Sequence, residues 1–112
     1  MLNDNAKKWV AALRSGEYKQ GFGYLRSDEG FCCLGVACNI FNVRGWKNTK
    51  KGITYAEENQ VLPHKVMDWL GLQDEEGTAD FQGKTLTYLN DSGKSFSEIA
   101  DVIESEPEGL FI

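Results

Sequence analysis

Phe31-Cys32-Cys33-Leu34-Gly35-Val36-Ala37-Cys38-Asn39-Ile40-Phe41 is the longest nearly uninterrupted apolar stretch of the chain, and it carries all three cysteines. Its reading decides the fold. On a helix advancing about 100° per residue, Cys33, Leu34, Val36, Ala37, Cys38, Ile40 and Phe41 cover roughly 200° of arc. Only Gly35 and Asn39 fall opposite. An arc that wide suits a helix at the centre of a domain, and the spacing predicts one over 33–41. Gly35 costs such a helix about 1 kcal/mol relative to alanine, a cost that makes sense where another backbone must approach closely.

The competing reading is a metal or redox site. A tetrahedral zinc site wants four ligands, usually from paired C-x₂₋₄-C or H-x₃₋₅-H knuckles. Here the spacing is C-C-x₄-C, and the one histidine, His64, lies far along the chain. Reactive thiols sit in electropositive, partly exposed places, whereas Leu34, Val36 and Ile40 surround these with hydrocarbon. Adjacent cysteines rarely bond each other, and three cannot all pair within one chain. The thiols therefore read as reduced core residues in an intracellular compartment, with no metal and no catalytic role.

Outward from this stretch, 112 residues fit one domain, 1–112, large enough to bury a core without staples. No apolar run approaches the roughly 18–20 residues of a membrane span, and the first residues lack a signal-peptide pattern. The formal net charge is −5, with acids concentrated late (Asp74, Glu75, Glu76, then Glu98 to Glu108) and cations early. That balance argues against direct DNA binding.

Asn3 or Asp4 can cap a first helix running to about Ser15, with Ala6, Trp9, Val10 and Leu13 on one face and Gly16 as its stop. Residues 23–26 and 30–32, around the turn signal Ser27-Asp28-Glu29-Gly30, read as a short β-hairpin. The polar, basic run 42–52 around Trp46 reads as a surface loop, followed by a short strand at 53–55. Pro63 opens a helix ending at Leu70, with Leu62, Val66, Trp69 and Leu70 as its buried stripe and Gly71 after it. Residues 73–80 read as an acidic loop and 84–90 as a short helix with Leu86 and Leu89 inward. Ser95 and Glu98 form a capping box for a last helix with Phe96, Ile99, Ala100, Val102 and Ile103 on one arc. The fold class expected is α+β, a small single domain, mainly helical, with a short hairpin packed on the central cysteine-containing helix.

Two motifs imitate chemistry. Ser92-Gly93-Lys94-Ser95 resembles the end of a phosphate-binding loop, but Tyr88 stands where its first glycine belongs, so Gly93 reads as a helix stop and Ser95 as a cap. Residues 86–104 imitate two helices of a helix-turn-helix, yet 105–112 is too short and acidic for a recognition helix. Carboxylates are plentiful, but none form a pair that the pattern places in an apolar cleft. The remaining candidate is a ligand- or partner-binding patch of Arg14, Tyr18, Lys19, Gln20, Gly21, Gly23, Tyr24 and Arg26. Cations, aromatic faces and flexible backbone suit a phosphorylated or nucleobase-bearing ligand, or an acidic partner protein.

In order, Trp9…Ala12-Leu13-Arg14-Ser15-Gly16-x-Tyr18-x-Gln20-Gly21-x-Gly23-x-Leu25, Phe31-Cys32-Cys33-Leu34-Gly35-Val36-x-Cys38, Leu62-Pro63…Trp69-Leu70-Gly71-Leu72 and Leu89-Asn90-Asp91-x-Gly93-x-Ser95-Phe96…Ile99-Ala100-Asp101 resemble an uncharacterised family of small bacteriophage proteins. The resemblance covers most of the chain. Ala37 and Asn39 stand where that pattern more often has leucine and aspartate. The resemblance implies a phage accessory protein in the bacterial host cytoplasm and supplies no catalytic residues or cofactor. The expected function is non-enzymatic: binding of a host protein, possible targets including a defence system, so as to inhibit or redirect it. The alternative is a small-molecule binder that sequesters a nucleotide signal.

Overall fold

A computed structural model describes residues 2–78 and 85–112. Five α-helices and two small antiparallel sheets lie among them: α1 (Asp4–Arg14), β1 (Arg26–Ser27), β2 (Gly30–Phe31), α2 (Cys33–Phe41), β3 (Trp46–Thr49), β4 (Gly52–Tyr55), α3 (His64–Leu70), α4 (Leu86–Asp91) and α5 (Phe96–Glu104). The fold is α+β. The acidic loop expected over 73–80 falls within the described residues only as far as Thr78. Lys84, the expected start of the fourth helix, lies outside them.

The cysteine stretch folds as its arc predicts. α2 spans Cys33–Phe41, with every residue from Cys33 to Cys38 buried. It packs against α1, α3 and α4, and so sits at the centre of the domain. Cys32 caps it with sulfur: the thiol accepts a hydrogen bond from the Gly35 amide at 3.4 Å. Gly35 is where a neighbouring backbone arrives, because a Cβ there would lie 1.7 Å from the Leu25 carbonyl oxygen. Trp9 of α1, fully buried, completes the junction by donating its indole Nε1–H to the Cys33 carbonyl at 2.9 Å. An indole buried with its donor satisfied contributes packing area at no polar cost.

The outer helices follow their sequence signals. Asn3 caps α1, accepting from the Ala6 amide at 2.8 Å, and Ala6, Trp9, Val10 and Leu13 are buried. α3 runs from His64 after Pro63 and stops at Gly71, whose φ of +76° is the left-handed conformation favouring glycine. Trp69 is half-buried rather than buried and packs edge-on against Phe41. α5 carries the complete capping box: the Ser95 hydroxyl accepts from the Glu98 amide while the Glu98 carboxylate accepts from the Ser95 amide, each at 3.1 Å. These bonds hold the Glu98 carboxyl below its ordinary range. Gly93, at a φ of +103°, follows the end of α4 and Ser95 caps α5, as the capping reading requires.

Two expectations are corrected. The hairpin before α2 exists but pairs only Arg26 with Phe31 and Ser27 with Gly30. Gly23 and Tyr24 stay outside it, because in this register their partners would be Cys33 and beyond, where α2 has begun. The other edge of β2 is taken by residues 19–21, the Phe31 amide donating to the Lys19 carbonyl at 2.8 Å and the Gly21 amide to the Phe31 carbonyl at 2.7 Å. The run 42–52 is not a loop. After a 3₁₀ turn at Val43–Gly45 it forms β3, paired in register with β4 from Trp46↔Tyr55 to Thr49↔Gly52. A strand over 53–55 needs a partner, and the basic residues around Trp46 supply it.

Candidate functional site

The β3–β4 hairpin packs beside β1 and brings together groups that the sequence keeps apart. Tyr18, Phe31, Trp46 and Tyr55 form a chain of edge-to-face rings with successive centroid separations of 5.2, 5.9 and 5.0 Å. Offset and edge-on pairs are the favoured geometry because positive ring edges meet negative faces. Asn39 fixes two of these rings: its Nδ2 donates to the Tyr18 hydroxyl and its Oδ1 accepts from the Trp46 indole, each at 3.0 Å. The Tyr55 hydroxyl donates to the Asn42 carbonyl at 2.8 Å. Asn39 is thus a bridge between rings rather than a bystander on the helix's outer side.

The Arg26 guanidinium lies over this chain, 4.9 Å from the Phe31 ring centre and 5.5 Å from that of Trp46. Both distances are within cation–π range. Two clefts open beside it. One, of about 280 Å³, is lined by Tyr24, Arg26, Ser27, Asp28, Lys51 and Ile53 among others. The second, of about 190 Å³, is lined by Arg26, Trp46, Lys47, Asn48 and Ile53. Arg26 and Ile53 belong to both.

The eight residues of the sequence-derived patch do not form one surface. Tyr24 and Arg26 meet at the first cleft, and Tyr18 reaches it indirectly through Phe31. Lys19 is exposed, with its carbonyl in the pairing to β2. Arg14 lies between α1 and α5, bonded to Asp101 at 2.6 Å and to Glu104. Those two carboxylates raise its pKa and take up its charge. Gln20, Gly21 and Gly23 serve a junction with α4: the Gln20 amide donates to Asn90 Oδ1 at 3.0 Å, Asn90 Nδ2 donates to the Gly21 carbonyl at 2.9 Å, and the Gly23 amide donates to Asp91 at 2.9 Å. Asn90 is fully buried and its Oδ1 also accepts from the Cys33 amide at 3.1 Å. It ties three segments to one amide.

Sequence reasoning missed Trp46, Lys47, Asn48 and Ile53 because it left 42–52 without structure. The signal was present: Thr49-Lys50-Lys51-Gly52 is a turn between two runs holding Trp46 and Ile53 with Tyr55. It also missed Asn90, an amide on the same helical face as Leu86.

The three thiols are free and buried in the core. Burial pushes Cys32 from an ordinary 9.0 up to about 11, and raises Cys33 and Cys38 as well. A thiol held protonated inside hydrocarbon is inert at neutral pH. Among the described residues no group of three or more His, Cys, Asp or Glu side chains could hold a metal ion, and no helix is long and apolar enough to cross a membrane.

What the fold and the face define is a small α+β domain with a cationic, aromatic surface on one hairpin. The chain belongs to the family described as a domain of unknown function, DUF8296, which matches residues 1–107. No curated protein and no solved structure matches it.

Proposed function

We propose that this protein is a bacteriophage accessory protein that acts in the bacterial cytoplasm without catalysis, by binding a host factor and inhibiting or redirecting it. The phage origin rests on the motif resemblance, and a component of a defence system is the target class it suggests. One observation carries the binding reading. Arg26, Arg44, Lys47, Lys50 and Lys51 cluster in and around the β3–β4 hairpin, and among the described residues none has a carboxylate within ion-pair distance. In a chain of net charge −5, cations gathered on and beside one hairpin without ion-pair partners favour an acidic partner surface. The exposed Tyr24 and half-buried Trp46 beside them offer the aromatic anchors on which interfaces depend.

Affinity purification from phage-infected cells with the wild-type protein and with a Lys47→Glu, Lys50→Glu, Lys51→Glu variant tests this. A protein recovered by the wild type, lost by the variant and released by raised salt is the expected result. Equal recovery by both would remove the hairpin from the interface, and recovery of nothing specific would remove the binding reading.

A further inference from the structure

The two clefts flanking Arg26 differ in their polar lining. Arg26, Lys47 and the Asn48 amide line the smaller one, which contains no carboxylate. The larger adds the Tyr24 ring, 48 % exposed, together with the Ser27 hydroxyl and the Asp28 carboxylate, with Lys51 on the same rim. The clefts measure about 190 and 280 Å³, each below the roughly 300 Å³ usual for small-ligand sites, and they share Arg26 and Ile53 as lining. A ligand reaching past Arg26 into both would have a volume within the roughly 300–1,000 Å³ usual for small-ligand sites. It carries negative charge at the Lys47 end, and at the Tyr24 end a flat ring with hydrogen-bond donors for Asp28.

We propose that the joined clefts are a binding site for a phosphorylated nucleoside, with its phosphates between Arg26 and Lys47 and its base and sugar against Tyr24 and Asp28. Arg26 is pre-positioned for this by Phe31 and Trp46. Its guanidinium already lies within cation–π distance of both rings, so little side-chain freedom remains to be lost when a phosphate arrives. Asp28 sets the direction of binding. It makes the larger cleft, which Arg26 and Lys51 also line, less attractive to phosphate than the smaller one, and its carboxylate can accept from sugar hydroxyls or base amines. The proposal goes beyond the protein-partner reading and stands without it.

Calorimetry at fixed ionic strength on the purified protein tests it, with ADP, GDP, CDP and UDP, and with pyrophosphate and adenosine as the separate halves. At least one nucleoside diphosphate should bind about tenfold or more tightly than either half. Lys47→Gln, an exposed position, should weaken that binding about tenfold, and Arg26→Gln at least as much. Asp28→Asn should weaken the nucleotide without weakening pyrophosphate. Binding of pyrophosphate as tight as that of every diphosphate would overturn the proposal, leaving a simple anion contact. So would no heat with any nucleotide at about 1 mM. Because no host protein is present, these outcomes are independent of whether a partner is captured.

Discussion

Replacing Gly35 with alanine sets helix preference against packing, and the structure says which wins. In a helix interior open to solvent, Gly→Ala stabilises by about 1 kcal/mol. In α2 the new Cβ would fall 1.7 Å from the Leu25 carbonyl oxygen and 2.7 Å from its carbon. Carbon and oxygen approach no closer than about 3.3 Å even in favourable C–H···O contacts, so Leu25 would have to retreat by roughly 1.5 Å. Its backbone is pinned at both ends: the amide donates to the Asn59 carbonyl at 2.7 Å, and the carbonyl accepts from the Cys32 amide at 3.1 Å. A shift of that size breaks both, costing about 1 kcal/mol each, and overpacking adds about 1–3 kcal/mol. Offset by the helix gain, the net loss is about 2–4 kcal/mol, or a melting temperature lower by roughly 10–15 °C. Urea titration followed by far-UV circular dichroism should show the midpoint falling with the slope unchanged. Gly16→Ala is the control: nothing lies within 4 Å of its Cβ, but its φ is +77°, so it should lose only about 1 kcal/mol. A Gly35→Ala protein as stable as the wild type would refute the claim that Leu25 and α2 are locked together.

Three further outcomes follow from the same geometry. Asn90→Ala removes the partners of the Gly21 carbonyl and the Cys33 amide, and should destabilise by about 3 kcal/mol in chemical denaturation; a loss below about 1 kcal/mol would mean that water replaces the amide freely. Ala56 and Glu57 hold left-handed backbone (φ 49° and 72°) in a two-residue turn closed by Tyr55 and Glu58, so the Ala56→Asn, Glu57→Gly double variant should gain about 1 kcal/mol, and a drop in melting temperature would contradict the turn assignment. Finally, the buried thiols bind their protons more tightly folded than unfolded. Their stabilisation is full below pH 9 and is lost as pH rises through 9 towards 11, by about 1 kcal/mol per pH unit for each thiol that ionises only on unfolding. Urea midpoints under reducing conditions should therefore fall between pH 8 and pH 10, and fall less steeply in Cys38→Ala; parallel slopes for the two proteins would exclude Cys38 from the effect.

The helices were legible because their signals are local. Caps at Asn3 and Ser95, stops at Gly16 and Gly71, and the wide arc of α2 act through neighbours in sequence, and each lies where its pattern puts it. The candidate face was not legible, because it depends on pairings between segments. β3 is polar along its length except for Trp46, so alternation could not mark it. Only its register with β4 gives Trp46 a place against Phe31 and Arg26. The patch drawn over 14–26 failed as one surface for the same reason. Proximity in sequence put Arg14 beside Arg26, whereas α5 claims Arg14 and β1 carries Arg26 to the hairpin. Asn90 illustrates a different limit: an amide on an apolar face announces that something polar must be met, but not what.

Asn90 also imposes an order of assembly. Its bonds to Gln20, Gly21 and Cys33 reach back 70, 69 and 57 residues. During synthesis the loop leading to Arg26 is therefore on the outside long before the amide that anchors it has been made. The strand pairings of β1 to β4 all lie within residues 26–55, yet the junction that holds the loop against α2 closes only after residue 90 has cleared the ribosome. The anchor of residues 20–23 against α4 is therefore the last of these contacts to form, and in a fragment ending before α4 the Gly23 amide, deprived of Asp91, should exchange freely while the Gly21 and Leu25 amides keep their partners Phe31 and Asn59.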